Sequence, residues 1–307
     1  MKNKYTYFSP ISDVGFKKLF GSQQSDALRI QLLNSIITDG SPVVSAELLD
    51  PVHVVGVETT AIFDLYCQRE DGSRIIVEMQ RAMSRVFLNR ALAYSSLAFL
   101  DQWKTGWKYE VERVYFIGIL EGIIFPDSPG RPVTTVMLMS VDEPHFIVNE
   151  KYLQIFVELP KLASVMPERM TDGELFLNAM WNISTWDERP AAYQDKKLDL
   201  LFAESVYGGL TDEERAKHDM QMTTEYEYLD GIRVEKERSR QEGYSEGKAE
   251  GRAEGIAEGM NAGKAIGMKE GSDSTRLEIA VKLKAAGMDP ASISGFTGLP
   301  AEAVAAL

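Results

Sequence analysis

Residues 61–80 read AIFDLYCQREDGSRIIVEMQ, and the way their two halves pair decides what the chain can be. Residues 61–67 and 74–80 are rich in β-branched and aromatic side chains and are joined through Glu70-Asp71-Gly72, which predicts two strands and a hairpin. Residues two apart on a strand share a face. Ile76, Glu78 and Gln80 therefore point one way and Ile75, Val77 and Met79 the other. On the first strand Ile62, Asp64 and Tyr66 oppose Phe63, Leu65 and Cys67. A three-residue Glu70-Asp71-Gly72 loop, with its glycine in the left-handed position of a bulge, sets Asp64 opposite Glu78. A two-residue Asp71-Gly72 loop shifts the pairing by one and puts the two carboxylates on opposite faces.

Like charges directly opposed in a sheet repel, and a divalent cation offsets the repulsion. Hard oxygen donors with few histidines suit Mg²⁺ or Mn²⁺, which can activate water and stabilise charge on a phosphoryl oxygen. The competing reading is a solvated face on a half-exposed hairpin. Ile75, Ile76 and Val77 argue against it, because an unbroken apolar run marks a strand buried on both sides, where a carboxylate needs a reason.

Outward from the hairpin, Ser12 or Asp13 can cap a helix carrying Val14, Phe16, Leu19 and Phe20 and closed by Gly21. A second helix is predicted over residues 26–37, with Leu28, Leu32, Leu33 and Ile36 about one turn apart. After the hairpin, residues 84–103 read as a helix, 111–120 and 132–141 as strands, and 153–159 as a further strand. From 172 to about 240 the periodicity is helical. Gly243, Gly247, Gly251, Gly255, Gly259, Gly263, Gly267 and Gly271 then recur every fourth residue, and Glu242, Glu246, Glu250, Glu254 and Glu258 share that spacing. At about 1 kcal/mol per helical glycine, with like charges stacked, an isolated helix here is marginal. The tract is either a flexible spacer or a helix that packs on a partner through its glycines. Residues 274–286 read as an amphipathic helix, and Gly287, Pro290, Gly295, Gly298 and Pro300 cut the remainder into short helical pieces spaced like a helix-turn-helix. No Lys or Arg follows Lys284 to hold phosphate, so a small helical cap is the alternative reading.

The 307 residues suggest about two domains, and 44% hydrophobic with 26% charged residues excludes wholesale disorder. A net charge of -13 excludes a uniformly basic nucleic-acid binder, so any contact with nucleic acid must be local. Cys67 is the only cysteine, and His53, His145 and His218 are far apart, which excludes a disulfide framework and a Cys/His zinc motif. Neither a signal peptide nor a membrane span is visible, and a reducing cytoplasm is the expected setting.

Several segments in order resemble the Rpn family of recombination-promoting nucleases and transposase-like proteins, within the PD-(D/E)XK nuclease superfamily. They are SPISDVGFKKLFG, LLNSII, FDLYCQREDGSRIIVEMQ, RALAYSS, WKYEVERVYFIGIL, the glycine tract and the tail IAVKLKAAGMDPASISGFTGLPAEAV. The resemblance covers nearly the whole chain. It implies an α/β (α+β) fold, a PD-(D/E)XK-like mixed sheet flanked by helices over residues 1–160. A helical extension follows over 161–241, then the glycine tract as helix or spacer over 242–272 and a small helical tail over 273–307. It implies a metal-dependent DNA endonuclease in which Asp64 and Glu78 hold Mg²⁺ or Mn²⁺ and the Met79 carbonyl adds a ligand. Gln80 stands where the superfamily pattern usually has lysine. An amide cannot take a proton at neutral pH, so water or substrate phosphate would have to accept it.

By the same resemblance, Asp13 is an auxiliary acid or else a helix N-cap, and Lys17 and Lys18 meet either phosphate or only water. Arg90 and Tyr94, four apart on one helix face, line the cleft, the guanidinium holding phosphate; the alternative for Tyr94 is core packing. Arg81, Arg85, Arg90, Lys104, Lys108 and Arg113, against Asp101, Glu110 and Glu112, give a local positive face. DNA is the expected partner, together with further copies of the chain. The rival reading is a self-assembling interaction protein whose nuclease domain is degenerate and whose glycine tract makes the oligomer.

Overall fold

The computed structural model describes residues 5–40, 42–55, 59–80, 86–103, 110–143 and 145–307. They form two compact units, Met1–Glu225 and Tyr226–Leu307.

The Ser12 hydroxyl accepts the Gly15 N–H and caps α1 (Asp13–Phe20), so Asp13 is the first helical residue and not the cap. Gly21 closes α1, and α2 (Asp26–Ile36) follows, burying Leu28, Leu32, Leu33 and Ile36. The buried Arg29 guanidinium donates to the carbonyls of Phe20, Ser22 and Ala46 and to the Asp26 carboxylate, which ties both helices to the first strand. The strands are β1 (Ala46–Leu48), β2 (Val52–Val55), β3 (Thr59–Ile62), β4 (Leu65–Arg69) and β5 (Arg74–Gln80). After α3 (Val86–Leu100) come β6 (Val114–Leu120), β7 (Val133–Met139) and β8 (Ile147–Glu158). The remaining helices are α4 (Asp172–Asn182), α5 (Asp199–Glu204), α6 (Asp212–Ala285), α7 (Pro290–Thr297) and α8 (Ala301–Ala306).

Six strands form one mixed sheet in the order β1-β4-β5-β6-β8-β7, and β2 and β3 form a separate ribbon. β5, β6 and β8 are parallel, while β4 and β7 run antiparallel to their neighbours. Every residue of β6 is buried, as its unbroken apolar sequence requires of a parallel strand covered on both faces. One face carries Ile75, Val77, Ile117 and Val157 against the core that includes α1, α2 and α4. The other carries Ile76, Phe116 and Phe156 against Phe87, Ala91 and Ala98 of α3.

The hairpin takes the three-residue loop. Gly72 sits at φ 86°, its N–H donates to the Arg69 carbonyl at 3.0 Å, and Arg69 N–H donates to the Ser73 carbonyl at 2.9 Å. The pairs Leu65↔Val77 to Gln68↔Arg74 follow, and one more step brings Asp64 level with Glu78. The first strand differs from the single run expected over 61–67: it breaks at Phe63-Asp64, between β3 and β4. Phe63 N–H is bonded to the Pro51 carbonyl, and its ring turns to the α3 side beside Tyr66, correcting the expected alternation, while Ile62 is exposed. The other strands shift at their ends, most of all β8, which begins at Ile147 and not at 153.

In the second unit, the helix expected from residue 274 is not separate: α6 continues through the glycine tract to Ala285. A Cβ at any of the eight tract glycines would meet nothing within 4 Å, so the tract is helix in open solvent. Asp289 accepts the N–H groups of Ala291 and Ser292 to cap α7, Pro290 takes the first turn, and Gly298 at φ 68° ends the helix. Ala280, Ile293 and Val304 bury each other and make a three-helix cluster. No described helix is long and apolar enough to cross a membrane.

A buried ion pair holds the C-terminal edge of the sheet. Glu158, level with Leu120, accepts the N–H groups of Ile124 and Phe125 and pairs with Lys161 at 2.5 Å. Lys161 also donates to the Phe125 carbonyl. Both side chains are almost fully buried, so removing one strands the other. Lys161→Met is expected to cost about 3–5 kcal/mol in denaturant unfolding, and the double change Glu158→Gln with Lys161→Met considerably less than the sum of the single changes.

Candidate metal and phosphodiester site

The site is built where β4 begins and β5 ends. Because the chain leaves the ribbon at Phe63, Asp64 is free of regular pairing, and its backbone bonds the Glu78 side chain while its own side chain bonds the backbone of the next residue, Met79. Asp64 N–H donates to Glu78 Oε1 at 3.1 Å, and Met79 N–H donates to Asp64 Oδ2 at 2.9 Å. A strand residue directs its N–H and C=O to the same side. The Met79 carbonyl therefore faces the edge where Asp64 sits, while the Gln80 carbonyl, on the opposite side, accepts Glu121 N–H at 3.0 Å.

Glu78 is only 4% exposed, and burial foremost, with the charge of Asp64 behind it, pushes its carboxyl up to about 8. Asp64 is raised too, by burial first and by Asp13, against the Met79 N–H and the charges of Lys17 and Arg90. Two crowded carboxylates that resist ionising together would each be stabilised by a nearby positive charge. Among the described residues no three acidic, histidine or cysteine side chains converge as a metal cage. The donors available are two carboxylates and a carbonyl, a set that suits a cation keeping some of its water and taking substrate oxygens.

α3 supplies the cationic wall. The Arg90 guanidinium donates to Gln80 Oε1 and lies 5.1 Å from the Phe87 ring centre and 6.0 Å from that of Tyr94. Tyr94 packs 4.8 Å from Phe63, and its phenol is raised by burial, then by the charge of Glu78. It packs, partly buried, on the α3-side core. Asp13 lies at the mouth, with Asp64 and Met79 around a cavity of about 120 Å³, and holds Lys17 at 2.9 Å. Lys18 is taken by Glu214 at 3.0 Å. The expected positive face is reduced. Arg113 pairs with Asp39 at 2.7 Å just before β6, at the end of the sheet away from Glu78, and Arg81, Arg85, Lys104 and Lys108 lie outside the described residues.

Two contributors are not among the residues expected from sequence. Gln221 of α6 accepts Asp13 N–H at 3.1 Å and lines the small cavity. Gly118 of β6 is level with Glu78, and a Cβ there would stand 2.9 Å from two atoms of the Phe87 ring. The missing side chain lets Phe87 lie on the sheet and carry Arg90. A glycine inside the apolar run VYFIGIL was the available signal.

A raised folded pKa means that the native state binds more protons than the unfolded chain between about 4.5 and about 8. The stability that protonated Glu78 contributes is complete below the lower value and lost as pH rises through the upper. The melting temperature of Glu78→Gln, relative to wild type, should accordingly climb by several degrees from pH 5 to pH 9. Divalent cation should narrow the gap by stabilising wild type alone; a pH-independent difference would contradict this electrostatics. Gly118→Ala should cost about 1–3 kcal/mol through overpacking, part of it recovered by Phe87→Leu in chemical denaturation.

No curated protein and no solved structure matches the chain. Residues 10–235, most of the sequence and all of the elements that build this site, match the family described as PD-(D/E)XK nuclease family transposase. With that match and a mixed sheet flanked by helices, the chain belongs to the PD-(D/E)XK nuclease family transposases.

Proposed function

We propose that the protein is a divalent-cation-dependent DNA endonuclease, hydrolysing phosphodiester bonds by attack of water. The observation that carries the reading is the pairing of Asp64 with the Glu78–Met79 segment, a half-buried and a buried carboxylate, both with raised pKa, beside an arginine. Asp64, Glu78 and the Met79 carbonyl would hold Mg²⁺ or Mn²⁺, which when bound supplies positive charge against the scissile phosphate and acidifies water.

The side chains around that position divide the remaining work. Arg90 presents its guanidinium over Phe87 and Tyr94, where it can pair with a phosphate oxygen. Gln80, fixed by Arg90, orients and does not take the proton, so water or a substrate phosphate oxygen accepts it. Asp13 and Lys17 act at the mouth, the lysine exchanging Asp13 for phosphate. Lys18, bonded to Glu214, is left to structure. A working place in the cytoplasm accords with Cys67 buried as a free thiol.

The glycine tract supports self-association as a second part of the proposal. Its helix is exposed on all sides and carries a cost of about 1 kcal/mol per glycine, which a second copy packing on the i, i+4 glycines would offset. Deleting residues 243–271 should lower the sedimenting mass.

Purified protein should nick or cut plasmid DNA in Mg²⁺ or Mn²⁺ and not in chelator. Asp64→Ala and Glu78→Ala, verified as folded by circular dichroism, should lose about 100-fold or more. Cleavage by either variant at the wild-type rate would reject the site, and no cleavage by the folded wild-type chain would favour a degenerate nuclease domain.

A further inference from the structure

The outer edge of the sheet is part of neither the candidate site nor the glycine tract and is uncovered among the described residues. β7 is the terminal strand, and its sequence, VTTVMLM, holds no charge and no proline. Exposed strand edges in monomers are ordinarily blunted by charged residues, proline, bulges or covering elements. Here the two register shifts place the extra residues on β8, between Ile147 and Leu153, and not on β7. The Pro132 carbonyl accepts Glu158 N–H, and Ser140 N–H donates to the Phe146 carbonyl, so even-numbered residues turn their backbone toward β8 at both ends of the strand. Val133, Thr135, Met137 and Met139 therefore turn N–H and C=O outward, with no partner strand among the described residues.

The hairpin tip beyond it is equally unprotected. Val141 is 95% exposed, Val148 62%, Phe146 58% and Leu138 49%. Asp142 and Glu143 lie in the same hairpin as these apolar groups, which disfavours a nucleic-acid backbone as the occupant and favours protein. The charges also select which protein. Arg131 precedes β7, Asp142 and Glu143 follow it, and none of the three has an ion-pair partner among the described residues. An antiparallel copy of the same strand brings the arginine end of one against the acidic end of the other.

We propose that β7 pairs antiparallel with β7 of a second copy of this chain about a twofold axis at Val136, extending the sheet through the dimer. Even-numbered residues form the non-hydrogen-bonded pairs of that ladder. Val136 thus meets its own copy, and Leu138 meets Thr134 on the same face. Thr135 with Met137, and Val133 with Met139, exchange the backbone bonds. Arg131 lies opposite Val141, with Asp142 of the other copy beside it. An isologous contact of this kind closes at two copies, so the exposed edge is consumed and not propagated.

Cysteine cross-linking of the full chain tests this directly, since Cys67 is the only native thiol and is buried. Val136→Cys should form a disulfide-linked dimer under mild oxidation, because a non-hydrogen-bonded pair on a twofold holds its Cβ atoms within reach. Thr134→Cys, which faces Leu138 of the other copy, should not. Val136→Lys, a change at an exposed position, should remove the β7 contact and lower the sedimenting mass, and the Val136→Cys link should persist when residues 243–271 are deleted. Failure of Val136→Cys to cross-link, or equal cross-linking at 134 and 136, would overturn the pairing, as would a monomeric wild-type chain. None of these readouts depends on nuclease activity.

Discussion

The site depends on one exchange: Asp64 gives its N–H to the Glu78 carboxylate, and its own carboxylate takes the N–H of Met79. Each bond lowers the cost of holding a carboxylate out of water, yet burial still wins and both groups are raised. Two acids held by backbone donors, in a place where they resist ionising, are what the proposed cation would stabilise. The rest of the first unit supports that exchange. The Gly72 loop sets the register, the buried parallel strands fix β5, and the break at Phe63 releases Asp64 from the ribbon.

The second layer of the site is steric. Arg90 bonds Gln80 from over the Phe87 ring, and Phe87 can sit this close to the sheet because β6 has a glycine level with Glu78. In a close-packed interior, one absent methyl decides how closely the ring that carries the guanidinium approaches the sheet. The Glu158–Lys161 pair fixes the turn after β6, whose first residue, Glu121, is bonded to the Gln80 carbonyl.

Much of this was legible in the sequence because it rests on local rules. Glu-Asp-Gly between two β-rich runs marks the turn and narrows the register to two choices, and the three-residue loop that forms is the one that makes Asp64 face Glu78. The apolar run of β6 announces a strand buried on both sides. What escaped depended on distant partners. Phe63 breaks the alternation because it bonds the Pro51 carbonyl, Lys18 is claimed by Glu214, and Gln221 arrives from a helix some 200 residues later; none has a periodic signature. The glycine tract shows the limit of propensity: its composition argued equally for spacer and helix, and the chain adopts helix with no described neighbour to explain it.

The central claim is that Asp64 and Glu78 together make one divalent-cation site. Titration calorimetry of the intact chain with Mn²⁺ at neutral pH, repeated in buffers of different ionisation enthalpy, measures it without reference to substrate. One ion per chain should bind with release of a proton, since the cation must displace the proton that burial keeps on Glu78, and Asp64→Asn should abolish the heat. Unchanged Mn²⁺ binding by Asp64→Asn, or no binding to the folded wild-type chain, would contradict it.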